Sequence, residues 1–128
     1  AGGDKYIQDN DAISASAPRY AGAGNGTITV PTTGANAVTE GWAVTCITAQ
    51  ANGGTFSVTG TVSGAQNNYD ITTGQYTSNN PAGRVQFTIT DGANDFAVGD
   101  EFKFSTFKTG ATKKNEIKTG KINVTLGP

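Results

Sequence analysis

Histidine is missing from this 128-residue chain, and its absence removes the commonest general base, the commonest metal ligand and every Ser-His or Cys-His dyad. Methionine is absent too. Cysteine occurs once, as Cys46, so no intramolecular disulfide is possible; the fold must stand on packing and hydrogen bonds, which suits a reducing compartment. Charge is scarce: DEKR residues make up 15% and the net charge is −1, which gives no reason to expect nucleic acid or an anionic membrane as the main partner. No apolar run approaches the roughly 18 residues needed to cross a bilayer, and no signal-peptide-like succession opens the chain. A start at Ala1 fits either loss of an initiator Met or an already processed chain.

Glycine, with 18 copies, and threonine, with twenty, are abundant instead. Threonine with Val, Ile and aromatics favours pleated, half-buried surfaces, and only 35% of the chain is hydrophobic, so the expected core is thin and β-built. Short alternating runs carry that expectation. Trp42, Val44 and Cys46 alternate with Ala43 and Thr45; Phe56 and Val58 with Ser57 and Thr59; Val85, Phe87 and Ile89 with Gln86, Thr88 and Thr90. Phe102 and Phe104 flank Lys103, Thr27 to Val30 forms a short run closed by Pro31, and Ile122, Val124 and Leu126 suggest a final strand. Asn52-Gly53-Gly54, Asn67-Asn68 and Asp91-Gly92 supply reversal chemistry between runs, and residues 32–37 read as a loop.

The expected fold is therefore all-β, an immunoglobulin-like antiparallel β-sandwich with an extended N-terminal arm and a C-terminal strand. Residues 1–24 form the expected arm, residues 25–128 a single domain, and residues 105–128 its lysine-rich loop and last strand. Tyr6, Ile7, Ile13 and Tyr20 are isolated apolar residues in the arm. A segment of that composition buries too little to order itself, so a neighbouring subunit is expected to supply the missing surface. Residues 1–100 hold three cations against eight acids, whereas residues 101–128 hold six lysines against Glu101 and Glu116. The basic end, with Lys113 and Lys114, could dock on an acidic neighbour, and Ile122 and Val124 need a strand to pair with. These eight residues are the candidate partner contacts.

Chemistry is harder to find. Cys46 lies on the apolar face of a run, where a small buried hydrophobe is the simpler reading than a nucleophile with no base beside it. Asp91, Asp95, Asp100 and Glu101 cluster, as do Asp9 and Asp11, but neither group has the spacing of a calcium loop, so turn formation and solubility account for them. Gly22, Gly24 and Gly26 have no helix after them to present to a phosphate and read as a flexible lead-in. Trp42 reads as a core anchor, while Tyr69 and Tyr76 fall outside the alternating core positions and are candidates for an exposed contact surface. Asn25-Gly26-Thr27 and Asn123-Val124-Thr125 match the glycosylation triplet, a pattern too short to carry weight. No catalytic residue, metal site or cofactor is expected.

Three stretches carry a resemblance: Gly24-Asn25-Gly26-Thr27; Thr45-Cys46-Ile47-Thr48 with Ala51-Asn52-Gly53-Gly54-Thr55-Phe56-Ser57-Val58; and the block from Val85 through Asp91-Gly92 and Val98-Gly99-Asp100 to Phe102. In that order they resemble the immunoglobulin-like module attached to head decoration proteins, and to some other virion proteins, of tailed bacteriophages. The likeness covers roughly residues 24–104 and departs after Val58, where the family's Asp-Pro-Asp-Gly-like hairpin is replaced by a Gly- and Asn-rich stretch. It implies a β-sandwich on a particle surface, made in the host cytoplasm, without catalysis. The implied partners are the major capsid protein or another virion protein, and neighbouring copies, with no nucleic acid and no membrane. An adhesion or receptor-binding module on a tail, fibre or cell surface is the alternative, and a self-assembling surface filament is a third.

Overall fold

The computed structural model describes residues 12–109, and among them all regular structure is strand apart from a single 3-10 turn. In chain order the strands are β1 (Ala12–Ala15), β2 (Arg19–Ala21), β3 (Thr27–Ile28), β4 (Thr32–Thr33), β5 (Glu40–Gln50), β6 (Gly53–Gly60), β7 (Gly64–Ala65) and β8 (Tyr69–Asp70). The 3-10 turn Ile71–Thr73 follows, then β9 (Tyr76–Asn79), β10 (Ala82–Phe87), β11 (Ile89–Thr90) and β12 (Glu101–Thr109). The chain divides into two compact units: Ala1–Ala12 with Lys108–Pro128, and Ile13–Phe107. Most of the first lies outside the described residues, as do Tyr6, Ile7, Lys113, Lys114, the expected strand around Ile122 and Val124, and the Asp9/Asp11 pair. The second unit carries everything that follows.

Antiparallel pairing builds its sheets. The largest runs β1-β12-β5-β6-β7, with β2 also on β12 and β8 also on β6; a second is β4-β10-β9 and a third β11-β3. Central β5 makes the longest ladders, with Trp42 opposite Gly60 and Phe104, and Val44 opposite Val58 and Phe102. Its sequence alternates, and so does its burial, from Glu40 to Cys46; the alternation breaks at the bulge between Cys46 and Thr48. Asn52, at φ 57°, and Gly54, at φ 147°, turn the chain into β6, as the Asn-Gly-Gly signal predicts. Asn67-Asn68 and Asp91-Gly92 differ, since neither pair enters the left-handed region. Gly92 is needed for another reason: a Cβ there would stand 2.2 Å from Asn25 Oδ1.

All three sheets feed one core. Trp42, Val44, Cys46, Phe56, Val58, Phe102 and Phe104 meet Tyr76, Val85 and Phe87 of the second sheet and Ile89 of the third. Edge-to-face contacts link them, Phe87 to Phe104 at 5.9 Å and Phe56 to Phe96 at 5.1 Å. Burying one such ring contributes roughly 1.5–3 kcal/mol, so a few aromatics support a chain poor in aliphatics. Trp42 and Cys46 are core residues, as their alternation predicts.

Tyr69 and Tyr76 overturn the expectation of exposure, at 2% and 6% accessible. Their hydroxyls explain how: Tyr69 donates to Gly74 O and accepts from Ile89 N, and Tyr76 donates to Asn67 O at 2.6 Å. A tyrosine whose hydroxyl meets backbone partners can be buried as readily as phenylalanine. Burial pushes the Tyr76 phenol up to about 12 and raises Tyr69 as well.

Candidate interaction face

Because β5, β6 and β12 turn their even-numbered side chains inward, their odd-numbered residues form an outer face. On that face Gly41 and Ala43 form a low floor along β5, between Thr59 on β6 and Lys103 and Ser105 on β12, and β2 adds Arg19. The result is an open groove of about 730 Å³. It falls within the ~300–1,000 Å³ span of ligand-holding clefts. Exposed Phe107 belongs to the same odd-numbered set on β12, and exposed Ile47 lies at the bulge of β5. Glu101 accepts from the Thr45 hydroxyl at 2.7 Å and lies 3.7 Å from Lys103 Nζ. Lys103 is the register partner of Arg19, so two cations lie directly across a strand pair. Among the described residues Arg19 has no anionic partner.

Asp100 fixes the segment that brings Arg19 to this face. Its Oδ1 accepts from Ala23 N at 3.0 Å, and its Oδ2 from Gly24 N, Ala97 N and the Tyr20 hydroxyl, each at 2.9 Å. Burial alone would raise this carboxyl. The three N–H donors and the Tyr20 hydroxyl outweigh it and hold Asp100 down to about 2. Burial first, and then this hydrogen bond to the carboxylate, push the Tyr20 phenol up to about 12. Asp100 is thus a latch, tying residues 20–24 to the loop before β12.

The glycines expected to form a flexible lead-in are packed where side chains would collide. A Cβ on Gly22 would stand 2.4 Å from Asp100 Cγ, one on Gly24 2.9 Å from Asp95 O, and one on Gly26 2.5 Å from Thr90 O and 2.4 Å from Phe96 Cζ. Close approach, not mobility, is what this alternation provides. Two of the remaining acids also serve the backbone: Asp95 accepts from Asn52 N at 3.1 Å and Asp70 from Thr72 N at 3.0 Å. No group of three or more potential metal ligands forms among the described residues.

A second latch, at Glu40, gave no signal in the sequence. Its buried carboxylate accepts from Val62 N at 2.9 Å, Ser63 N at 2.8 Å and the Ser63 hydroxyl at 2.6 Å, with Arg84 Nη1 at 4.0 Å. Gly60 leaves it room, since a Cβ there would stand 2.4 Å from Oε1.

Of the eight candidate partner contacts, two fall among the described residues. Ile13 lies half-buried in β1. Tyr20 lies half-buried in β2, its ring 4.6 Å from Phe102 and 6.1 Å from Phe96. The surface that Tyr20 lacked in the sequence is supplied by the same chain, through β2 pairing with β12. Conversely, Gly41, Ala43, Arg19 and Lys103 were not singled out, because in an alternating run the outward residues read as spacers between core positions. The signal available was Gly41, a glycine inside a strand pattern. Comparison with protein-family models, with curated proteins and with solved structures found no match.

Proposed function

We propose that this chain is a non-catalytic structural protein of a tailed-bacteriophage virion, a capsid decoration protein that binds the outer capsid surface and stabilises it through subunit packing. The observation that carries this reading is the outer face of β5 and β12, which is grooved among the described residues and is a surface suited to protein contact. Supporting it, the buried carboxylates of Asp100 and Glu40 are committed to backbone N–H groups, an arrangement that builds architecture. The strand order also suits an immunoglobulin-like sandwich, with β12, β5 and β6 facing β4, β10 and β9 across the aromatic core. The resemblance over residues 24–104 supplies the setting. Burial of Tyr69 and Tyr76 leaves the adhesin alternative only its Asn-rich loops as a contact surface.

Capsids that carry the protein should withstand heating or osmotic shock that ruptures capsids from which it has been deleted. Equal rupture of both would reject the decoration role.

A further inference from the structure

We propose that the outer face of β5 and β12 is a docking surface for an extended, acidic segment of another protein, whose backbone lies along Gly41 and Ala43 and whose carboxylate reaches Arg19. Two local choices on this face are unfavourable for the isolated chain, and both are resolved by the same occupant. Gly41 is the first. Glycine weakens a strand, and two other glycines of this sheet have internal reasons: Glu40 packs against Gly60, and Gly54 has a φ of 147°. Gly41 has none: a Cβ there would meet only Thr61 Cγ2, at an ordinary 3.6 Å. A side chain is therefore missing for the sake of what lies outside, and a glycine floor admits the close approach of another backbone.

The second choice is the cross-strand pair. Like charges directly opposite on a ladder repel, yet Arg19 faces Lys103, and Glu101, the one acid lining the groove among the described residues, is held by Lys103 and Thr45. A carboxylate laid in the groove answers Arg19 with the bidentate geometry a guanidinium favours. Two breaches of local consistency that converge on one surface mark function rather than defect.

The counter-charge is assigned to another protein. A second copy's outer face would bring its own Arg19 and Lys103. Residues 110–128 carry four lysines and one glutamate, so they are repelled as well. Residues 1–11, with three aspartates, lie outside the described residues.

The test is an NMR titration of the full 15N-labelled chain with two blocked peptides, Thr-Val-Glu-Val-Glu-Val-Thr and its counterpart with Lys for Glu. The Glu peptide should shift the amides of Gly41, Ala43 and Lys103 saturably and the Lys peptide should not; added salt should weaken the effect. Arg19→Glu with Lys103→Glu should reverse the preference, because only the sign of the rim changes. Gly41→Val, which fills the floor, should abolish binding of the Glu peptide at an unchanged or higher melting temperature. Shifts confined to other surfaces, equal response to both peptides, or a preference that survives the double charge reversal would overturn the proposal. So would self-association of the wild-type chain that Arg19→Glu abolishes, since the occupant would then be this chain. None of these outcomes touches the capsid-rupture experiment, so the docking surface and the decoration role fail separately.

Discussion

Replacing Asp100 by Asn keeps the shape of the side chain and removes the charge that gathers four donors. The folded-state carboxyl lies at about 2 against an ordinary 3.8. At ~1.36 kcal/mol per pH unit, that difference is worth about 1–2.5 kcal/mol of folding free energy, the lower end allowing for solvent screening at the loop. Its sign is fixed by which state binds the proton first. As pH falls, the unfolded chain is protonated near 3.8 and the folded protein only near 2. The contribution is therefore complete above about pH 4, shrinks below it, and is gone by about pH 2. Urea unfolding followed by the fluorescence of buried Trp42 measures this at each pH. Wild type should exceed Asp100→Asn by about 1–2.5 kcal/mol at pH 7, with the gap closing toward pH 2. Asp70 is also lowered, by the Thr72 hydroxyl and N–H, but it is present in both proteins and cancels from the difference. A gap that stays constant from pH 7 to pH 2, or that is missing at pH 7, would refute the latch.

Two further outcomes follow from packing and from buried phenols. Gly26→Ala should lose at least about 2 kcal/mol, because the new carbon strikes Thr90 O as well as the Phe96 ring, whereas Gly41→Ala should be neutral or gain up to about 1 kcal/mol; thermal melts of the pair decide it. Tyr20 and Tyr76 should titrate near 12 in the native protein, seen as delayed absorbance at about 295 nm, against a usual value near 10. Their phenols are raised by folding, so the stability they confer is complete below pH 10 and is lost as pH climbs from 10 to 12. Ionisation of all four tyrosines at pH 10 with an intact far-UV spectrum would contradict the buried placement.

Strand content was legible because the chain alternates so cleanly: Trp42-Val44-Cys46 and Val85-Phe87-Ile89 each name their own buried face. What escaped the sequence was anything satisfied by backbone. Tyr69 and Tyr76 sit among Asn, Thr and Gly, and only their bonds to Gly74 O, Ile89 N and Asn67 O make burial tolerable. Glu40 shares the inward face of Trp42, Val44 and Cys46, and the turn that satisfies its carboxylate arrives some twenty residues later. The glycine run at 22, 24 and 26 has the composition of a loose linker, while its function is to press residues 22–26 against Phe96 and Asp100. Hydrogen bonds and close approaches between distant residues leave no periodicity to detect, so latches and straps are the elements that sequence reading misses.

Those latches also account for the charge left on the outer face. A chain of this size commonly neutralises buried acids with arginine or lysine, but here Asp100 is satisfied by N–H groups and a phenol. Glu40 is satisfied by two N–H groups and a serine, with Arg84 no closer than 4.0 Å. Backbone donors balance the Asp100 carboxylate without a cation, and at Glu40 they leave Arg84 at the 4.0 Å edge of an ion pair. Arg19 and Lys103 stand on the surface, Lys103 3.7 Å from Glu101, and the Asp100 latch, by fixing residues 20–24, holds Arg19 in register with Lys103. Loosening the latch should therefore disorder the groove before it unfolds the core, which links the stability of one buried carboxylate to the competence of the face beside it.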